Sequence, residues 1–167
     1  MRTETAIFVL TPILITVAAA GASYAAFPPG SSTVWPAYLY AFGSVVPGTA
    51  PYLAFLIGRA VSAYQTLFTL ILNAALLILL FGAIYRGYGL SDAARPDADL
   101  STYFSIVTWT TLGYGDFSPI PSLRLLAAGQ AVIGYIFLGL IVGLLIELAT
   151  QARTSSPGGK SPRPKAR

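Results

Sequence analysis

The chain has 167 residues, of which 55% are hydrophobic and 10% are charged, and it carries a net charge of +4. A water-soluble domain would have about a quarter of its residues charged, so we expect lipid to surround most of this chain. The sequence contains no cysteine and no histidine, which excludes disulfides and a histidine-based catalytic triad and argues against a zinc site. We therefore expect a membrane protein that is not an enzyme and needs no cofactor.

Four apolar stretches approach the length of about 20 residues that a helix needs to cross the hydrocarbon core. They cover about residues 5–27, 35–57, 64–85 and 123–148. The first is predicted to be a retained helix, with a cleaved export signal as the alternative, because a basic start precedes it and small residues follow it. The second contains Pro47 and Pro51, so we expect a kinked or broken spanning helix there, with a re-entrant or interfacial segment as the alternative.

A polar segment and a short helical one separate the third and fourth stretches. Residues 100–111 have helical character but are too few to cross a membrane. Asp99 or Ser101 is expected to cap this short helix, and the glycines that follow are expected to end it. A short helix and glycine-rich backbone between two spans predict a re-entrant pore loop, since irregular backbone is tolerated at membrane depth only where protein or water surrounds it.

Basic residues crowd the end of the chain, where Arg153, Lys160, Arg163, Lys165 and Arg167 follow the fourth stretch. Basic flanks of membrane helices face the cytoplasm, so we expect a cytoplasmic C-terminus whose basic, disordered tail contacts lipid headgroups and not nucleic acid. With four spans the N-terminus is also cytoplasmic, and the re-entrant loop enters from outside. This predicts a multi-pass protein of the cell membrane.

The segment from Thr110 to Asp116 reads Thr-Thr-Leu-Gly-Tyr-Gly-Asp. A potassium ion in a narrow filter loses its water, and backbone carbonyls replace that water if they all point inward. Such a backbone alternates in conformation and visits φ > 0, which Gly113 and Gly115 can do without steric cost. The carboxylate of Asp116 at the outer mouth would raise the local concentration of cations.

The run from Tyr103 to Pro119 resembles the pore region of the potassium-channel superfamily. Its signature, Thr-x-Gly-Tyr-Gly-Asp, is met by residues 111–116, with Leu112 where valine or isoleucine is usual. The resemblance covers about residues 64–148 and implies an outer helix, a pore helix, a filter and an inner helix. It also implies a homotetramer, because one chain supplies a quarter of the filter. The permeant ion K⁺ would be bound by Thr111, Leu112, Gly113, Tyr114 and Gly115.

Residues near the filter are given supporting roles. The filter-support residues are Tyr103, Phe104, Trp109 and Thr110. The first three are aromatic and are expected to pack against the ring of Tyr114. In the inner helix, Gly134 and Gly139 are candidate gating hinges, with close packing of helices as the alternative.

Three features depart from the family pattern. Tyr103 and Phe104 stand where many members have two tryptophans, so the bracing of the filter is expected to differ. Val107 stands where some bacterial members place a glutamate behind the filter. No arginine-rich voltage sensor is recognisable, and the sequence does not indicate what opens the pore.

We therefore predict an all-α membrane fold with four spanning helices, one re-entrant pore loop and a tetrameric pore. Residues 1–60 would form two membrane segments of undefined role, residues 61–150 the pore domain and residues 151–167 the cytoplasmic tail. The predicted function is passive, selective conduction of K⁺. The alternatives are a non-conducting or regulatory channel-like subunit and a weakly selective cation channel.

Overall fold

The computed structural model describes residues 14, 18, 22, 33–58, 62–91, 93 and 96–155. Four α-helices account for most of them: α1 (Trp35–Leu56), α2 (Ala63–Tyr88), α3 (Ala98–Trp109) and α4 (Arg124–Ser155), the last entered through a 3-10 turn at Pro121–Leu123. The described residues contain no β-strand, only isolated bridges in the loops around α3. The helical fold class is therefore confirmed. The first predicted stretch lies outside the described residues apart from positions 14, 18 and 22, so its interpretation stays a prediction.

Two helical segments are long and apolar enough to cross a membrane. They are α2, with 26 residues, and the continuous segment Pro121–Thr154, with 34 residues. They correspond to the third and fourth predicted stretches, and together they indicate a membrane protein. The first two predicted spans remain predictions.

Helix α1 is continuous across positions 47 and 51, both of which are proline. The helix is therefore not broken, in keeping with the tolerance of membrane helices for proline, and the kink stays a prediction. One face of α1 is made of small buried residues, Ala37, Ala41 and Ser44. Their spacing of four and three residues places them on one side of the helix, where they let α1 approach α2 closely.

The cap of α3 differs from the prediction. Asp97 caps the helix, because its carboxylate accepts a hydrogen bond from the backbone N–H of Leu100 at 2.7 Å and its backbone is extended, as a capping position requires. Asp99 lies in the first turn, where its charge is favourable to the helix dipole. The hydroxyl of Ser101 donates back to the carbonyl of Asp97 at 2.8 Å. The helix thus begins two residues earlier than expected, at Ala98.

Helix α2 lies at the centre of the fold and packs against the other three helices. Two tyrosines fix the start of α1 beside the end of α2 and the start of α4. Tyr88 donates to the carbonyl of Thr33 at 2.8 Å, and Tyr38 donates to the carbonyl of Ser122 at 3.0 Å. Helix α1 is therefore antiparallel to α2 and begins at the end of the domain that holds the loops around α3.

The loop after α2 is tied to the loop that follows the predicted filter. The backbone N–H of Ser91 donates to the carbonyl of Ser118 at 2.9 Å, and the Ser91 hydroxyl donates to the carbonyl of Pro119 at 3.0 Å. These bonds join the two loops that flank α3 and hold both ends of the re-entrant segment at the same end of the domain.

Candidate functional site

The predicted filter begins inside the last turn of α3. After Trp109 the backbone N–H groups of Thr110, Thr111 and Leu112 donate back to the carbonyls of Ile106, Thr108 and Val107, at 2.9, 3.1 and 3.1 Å. The inner end of the filter is therefore hydrogen-bonded to the helix before it, so the position of α3 sets the position of the filter.

The backbone of the filter alternates in the sign of φ. Thr111, Gly113 and Gly115 have φ of 57°, 52° and 79°, and Thr111 is the one non-glycine residue with positive φ in the described part of the chain. A left-handed backbone costs such a residue about 1–2 kcal/mol and persists only where the surroundings impose it. Every second residue from 111 to 115 is thus left-handed, which is the alternation that the sequence led us to expect for a row of carbonyls facing one way.

The filter segment is open along its length. Residues 110–116 are exposed, including Leu112 at 57% and Tyr114 at 66%. Within the described part of the chain, the carbonyl oxygens of residues 111–115 accept no hydrogen bond. A Cβ added to Gly113 or Gly115 would meet no atom within 4 Å, so in a single chain it is the positive φ, and not lack of space, that requires glycine at both positions.

The carboxylate of Asp116 is held at the outer end of this segment. Tyr103 donates its hydroxyl to Asp116 Oδ2 at 2.7 Å, and the backbone N–H of Phe117 donates to Oδ1 at 3.1 Å. The ring of Tyr103 also packs edge-to-face against that of Phe117, with centroids 6.5 Å apart. The hydrogen bond to Asp116 raises the pKa of Tyr103 above its ordinary value, so the hydroxyl stays a neutral donor at physiological pH.

The aromatic support residues have partners other than the predicted one. Phe104 packs edge-to-face on Tyr85 of α2 at 4.7 Å, and Trp109 packs on Phe137 of α4 at 5.5 Å. Among the described residues no ring contact to Tyr114 is present. Within one chain these side chains therefore support the filter by packing α3 between α2 and α4.

Two further support positions lie on α3 itself. The hydroxyl of Thr110 donates at 2.8 Å to the carbonyl of Ile106, which also accepts the backbone N–H of Thr110. Val107, at the position where some family members have a glutamate, is 7% exposed and packs in the core without a polar group. The bond from Tyr103 is thus the side-chain link between α3 and Asp116.

The glycines of α4 differ in their surroundings. A Cβ at Gly134 would collide with the carbonyl oxygen of Trp109 and lie 3.0 Å from its carbonyl carbon. A Cβ at Gly139 or Gly143 would meet nothing within 4 Å. Close contact with the end of α3 therefore accounts for the glycine at 134, whereas no packing within the chain accounts for Gly139. The hinge roles stay predictions.

A cavity of about 200 Å³ opens at the inner end of the filter, between Thr110 and Thr111 on one side and the stretch from Gly134 to Ile141 on the other. Its lining is mainly apolar.

A comparison with known families agrees with this geometry. Residues 73–151 match a family model described as "Ion channel". The match begins within α2 and ends within α4, so it includes α3 and the whole filter segment. This segment is an ion-channel domain. No curated protein and no solved structure matches the chain.

The match confirms that the chain carries a channel pore domain, as the resemblance implied, and it indicates a channel rather than an enzyme. Two helices able to cross a bilayer belong to or overlap this domain, which places the protein in a membrane.

Proposed function

We propose that the chain is the pore-forming subunit of a potassium-selective channel, in which four copies surround one axis and K⁺ passes down its gradient. The alternating backbone of Thr111, Gly113 and Gly115 carries this proposal. It lies within the sequence Thr-Thr-Leu-Gly-Tyr-Gly-Asp, directly after a short helix and between two helices able to cross a bilayer.

The free carbonyls of residues 111–115 supply the chemistry. Oxygens of this kind replace the water of a dehydrated K⁺ when four filter segments face each other. The hydroxyl of Thr111 donates its proton to the carbonyl of Thr110 at 2.7 Å, which leaves its oxygen lone pairs available to an ion at the inner end. Five layers of carbonyl oxygens and one layer of Thr111 hydroxyl oxygens would then line the filter.

The exposure of the filter supports an assembly of several copies. Irregular backbone with unpaired carbonyls is not tolerated against lipid, and here it lies open along one side of a single chain. A homotetramer with four-fold cyclic symmetry places that side on the axis and closes the ring. The exposed ring of Tyr114 would then reach the neighbouring copy, since it has no aromatic partner within the described part of its own chain.

Charge at the two ends of the filter favours cations. Four copies of Asp116 at the outer mouth would raise the local concentration of K⁺, and the bond from Tyr103 keeps each carboxylate in place. The carbonyl end of α3 contributes partial negative charge near the inner end. With the basic tail in the cytoplasm, Asp116 faces the outside of the cell membrane and both termini face the cytoplasm.

Ion flux into liposomes that contain the purified full-length protein tests this proposal. We expect uptake driven by a K⁺ gradient, blocked by Ba²⁺ and not supported by Na⁺. Equal K⁺ and Na⁺ fluxes would overturn selectivity and favour the weakly selective cation channel. Absence of flux under either gradient, in protein that is correctly inserted, would favour the regulatory subunit.

A further inference from the structure

A buried chain of polar side chains joins three helices behind the filter. The hydroxyl of Tyr85 in α2 donates to Gln130 Oε1 in α4 at 2.7 Å. Gln130 Nε2 donates to both Ser105 Oγ and the Ser105 carbonyl in α3, at 2.8 and 3.0 Å. Ser105 Oγ in turn donates to the carbonyl of Ile78 in α2 at 2.6 Å. We name these three side chains, Tyr85, Gln130 and Ser105, the polar bridge.

The three side chains of the polar bridge are fully buried, each at 0% exposure. Polar groups at membrane depth are costly and mark functional positions, and a hydrogen bond in such a low dielectric is stronger than in water. Several other buried polar side chains donate within their own helix. Thr66 and Thr69, for example, donate to carbonyls one turn earlier in their own helix. The polar bridge differs because its bonds cross between helices and end on α3.

Its position relative to the filter gives the polar bridge a specific effect. Ser105 lies six residues before Thr111, in the helix whose last turn holds the inner end of the filter by three hydrogen bonds. One turn after Gln130, Gly134 lies against the carbonyl of Trp109. Helix α4 therefore fixes α3 at two successive turns, and a shift or rotation of α3 would be transmitted to the strained backbone at Thr111.

We propose that Gln130 is a positioning residue of the filter, which fixes the depth and rotation of α3 by tying Ser105 to Tyr85. Gln130 does not touch the ion. It acts by holding the carbonyls of residues 111–115 at the spacing that suits K⁺. When the bridge is broken, α3 gains freedom, the filter oxygens adapt to a smaller ion, and discrimination against Na⁺ falls. This inference rests on the proposed potassium-selective function.

Two substitutions that each remove one oxygen atom, and a third that replaces the amide, test the polar bridge with little effect on packing. Tyr85→Phe removes the bond to Gln130 but keeps the ring against Phe104, and Ser105→Ala removes the hydroxyl. Gln130→Met replaces the amide by an apolar side chain of similar length. Tyr88→Phe is the matched control, because Tyr88 lies three residues further along α2 and its hydroxyl donates towards α1, to the carbonyl of Thr33.

The ratio of K⁺ to Na⁺ flux is measured in liposomes for tetramers isolated by size. We expect the ratio to fall about tenfold in Tyr85→Phe and Ser105→Ala, which corresponds to about 1.4 kcal/mol of discrimination, and to stay at the wild-type value in Tyr88→Phe. The double variant Tyr85→Phe/Ser105→Ala is expected to lose little more than either single one, because both act through Gln130.

The outcomes separate this inference from the proposed function. If the wild-type protein gives no selective K⁺ flux, the proposed function fails and the inference falls with it. If the wild type is selective and the bridge variants are equally selective, Gln130 is not a positioning residue. Loss of tetramer without any change in selectivity of the remaining tetramer would show a merely structural role and would also overturn the inference. An equal fall in the ratio of K⁺ to Na⁺ flux in Tyr88→Phe would overturn it as well. If Gln130→Met does not assemble, the flux ratios of Tyr85→Phe and Ser105→Ala decide whether Gln130 is a positioning residue.

Discussion

Replacement of Gly134 by alanine separates the two roles that this glycine could have. If Gly134 served only as a flexible point, alanine would stabilise the helix, by about 1 kcal/mol per residue. The structure predicts the opposite sign. The new Cβ would collide with the carbonyl oxygen of Trp109, which is backbone at the end of α3 and cannot rotate away.

The magnitude follows from the two opposing effects. Overpacking of a well-packed site costs about 1–3 kcal/mol, and we expect the upper end here because both partners are backbone. After subtraction of the gain in helix propensity, Gly134→Ala is expected to destabilise each subunit by about 2 kcal/mol. Gly139→Ala is the matched control, since its Cβ would meet nothing within 4 Å, and it is expected to leave the stability equal to that of the wild type or to raise it.

Thermal unfolding of the tetramer in detergent measures both variants. We expect the midpoint of unfolding to fall for Gly134→Ala and to stay or rise for Gly139→Ala. Flux measurements on the same samples show whether Gly139→Ala alters opening while the fold is intact. A rise in the midpoint for Gly134→Ala would refute the packing interpretation and would favour the hinge.

Three further predictions concern the filter and the helix before it. Gly113→Ala is expected to abolish selective K⁺ uptake without preventing membrane insertion, because φ of 52° opposes a Cβ; wild-type selectivity would count against the filter assignment. Tyr103→Phe removes one of the two hydrogen bonds to the carboxylate of Asp116 and is expected to reduce steady K⁺ flux. The pKa of Tyr103 is raised above its ordinary value, so its hydroxyl keeps the proton that it donates to Asp116 until the pH rises through that raised pKa. The difference in K⁺ flux between Tyr103→Phe and the wild type should therefore be the same at pH 7 and pH 9. Asp97→Ala removes the cap of α3 and is expected to lower stability by about 1 kcal/mol, whereas Asp99→Ala, which removes only a charge from the first turn, should lower it less; equal losses by thermal unfolding would contradict the cap.

The elements that depend on local composition could be predicted from the sequence. Long apolar runs gave the positions of α2 and α4, and a short helical pattern before a glycine-rich motif gave α3. A helix was also predicted over the second stretch, but its continuity across Pro47 and Pro51 could not be told from the sequence, because proline permits either a break or a continuous helix. Asp99 and Ser101 are both good capping types, but the choice among neighbouring residues depends on where the chain leaves the extended conformation, which is at Asp97.

The contacts that position the filter depend on tertiary structure. Tyr103 was expected to face Tyr114, and the structure turns it to Asp116, thirteen residues along the chain. A polar side chain inside an otherwise apolar span, such as that of Gln130, is itself a signal of function. What the sequence could not indicate was its set of partners, since Tyr85 and Ser105 come from two other helices.

Helix α4 consists of two parts with different surroundings. Its outer part is fixed to α3 through Gln130 and through the contact of Gly134 with Trp109. Beyond Gly134, Phe137 still packs on Trp109 and Leu144 is buried. Leu138 and Val142 are exposed, and Gly139 has open space around it. A bend at Gly139 would therefore move the inner part of α4 while α3 and the filter stay in place, whereas a bend at Gly134 would pull on the helix that holds Thr111. Because Phe137 lies before Gly139, a bend at Gly139 would keep its contact with Trp109. Of the two predicted hinges, Gly139 is therefore the one that the packing within the chain favours.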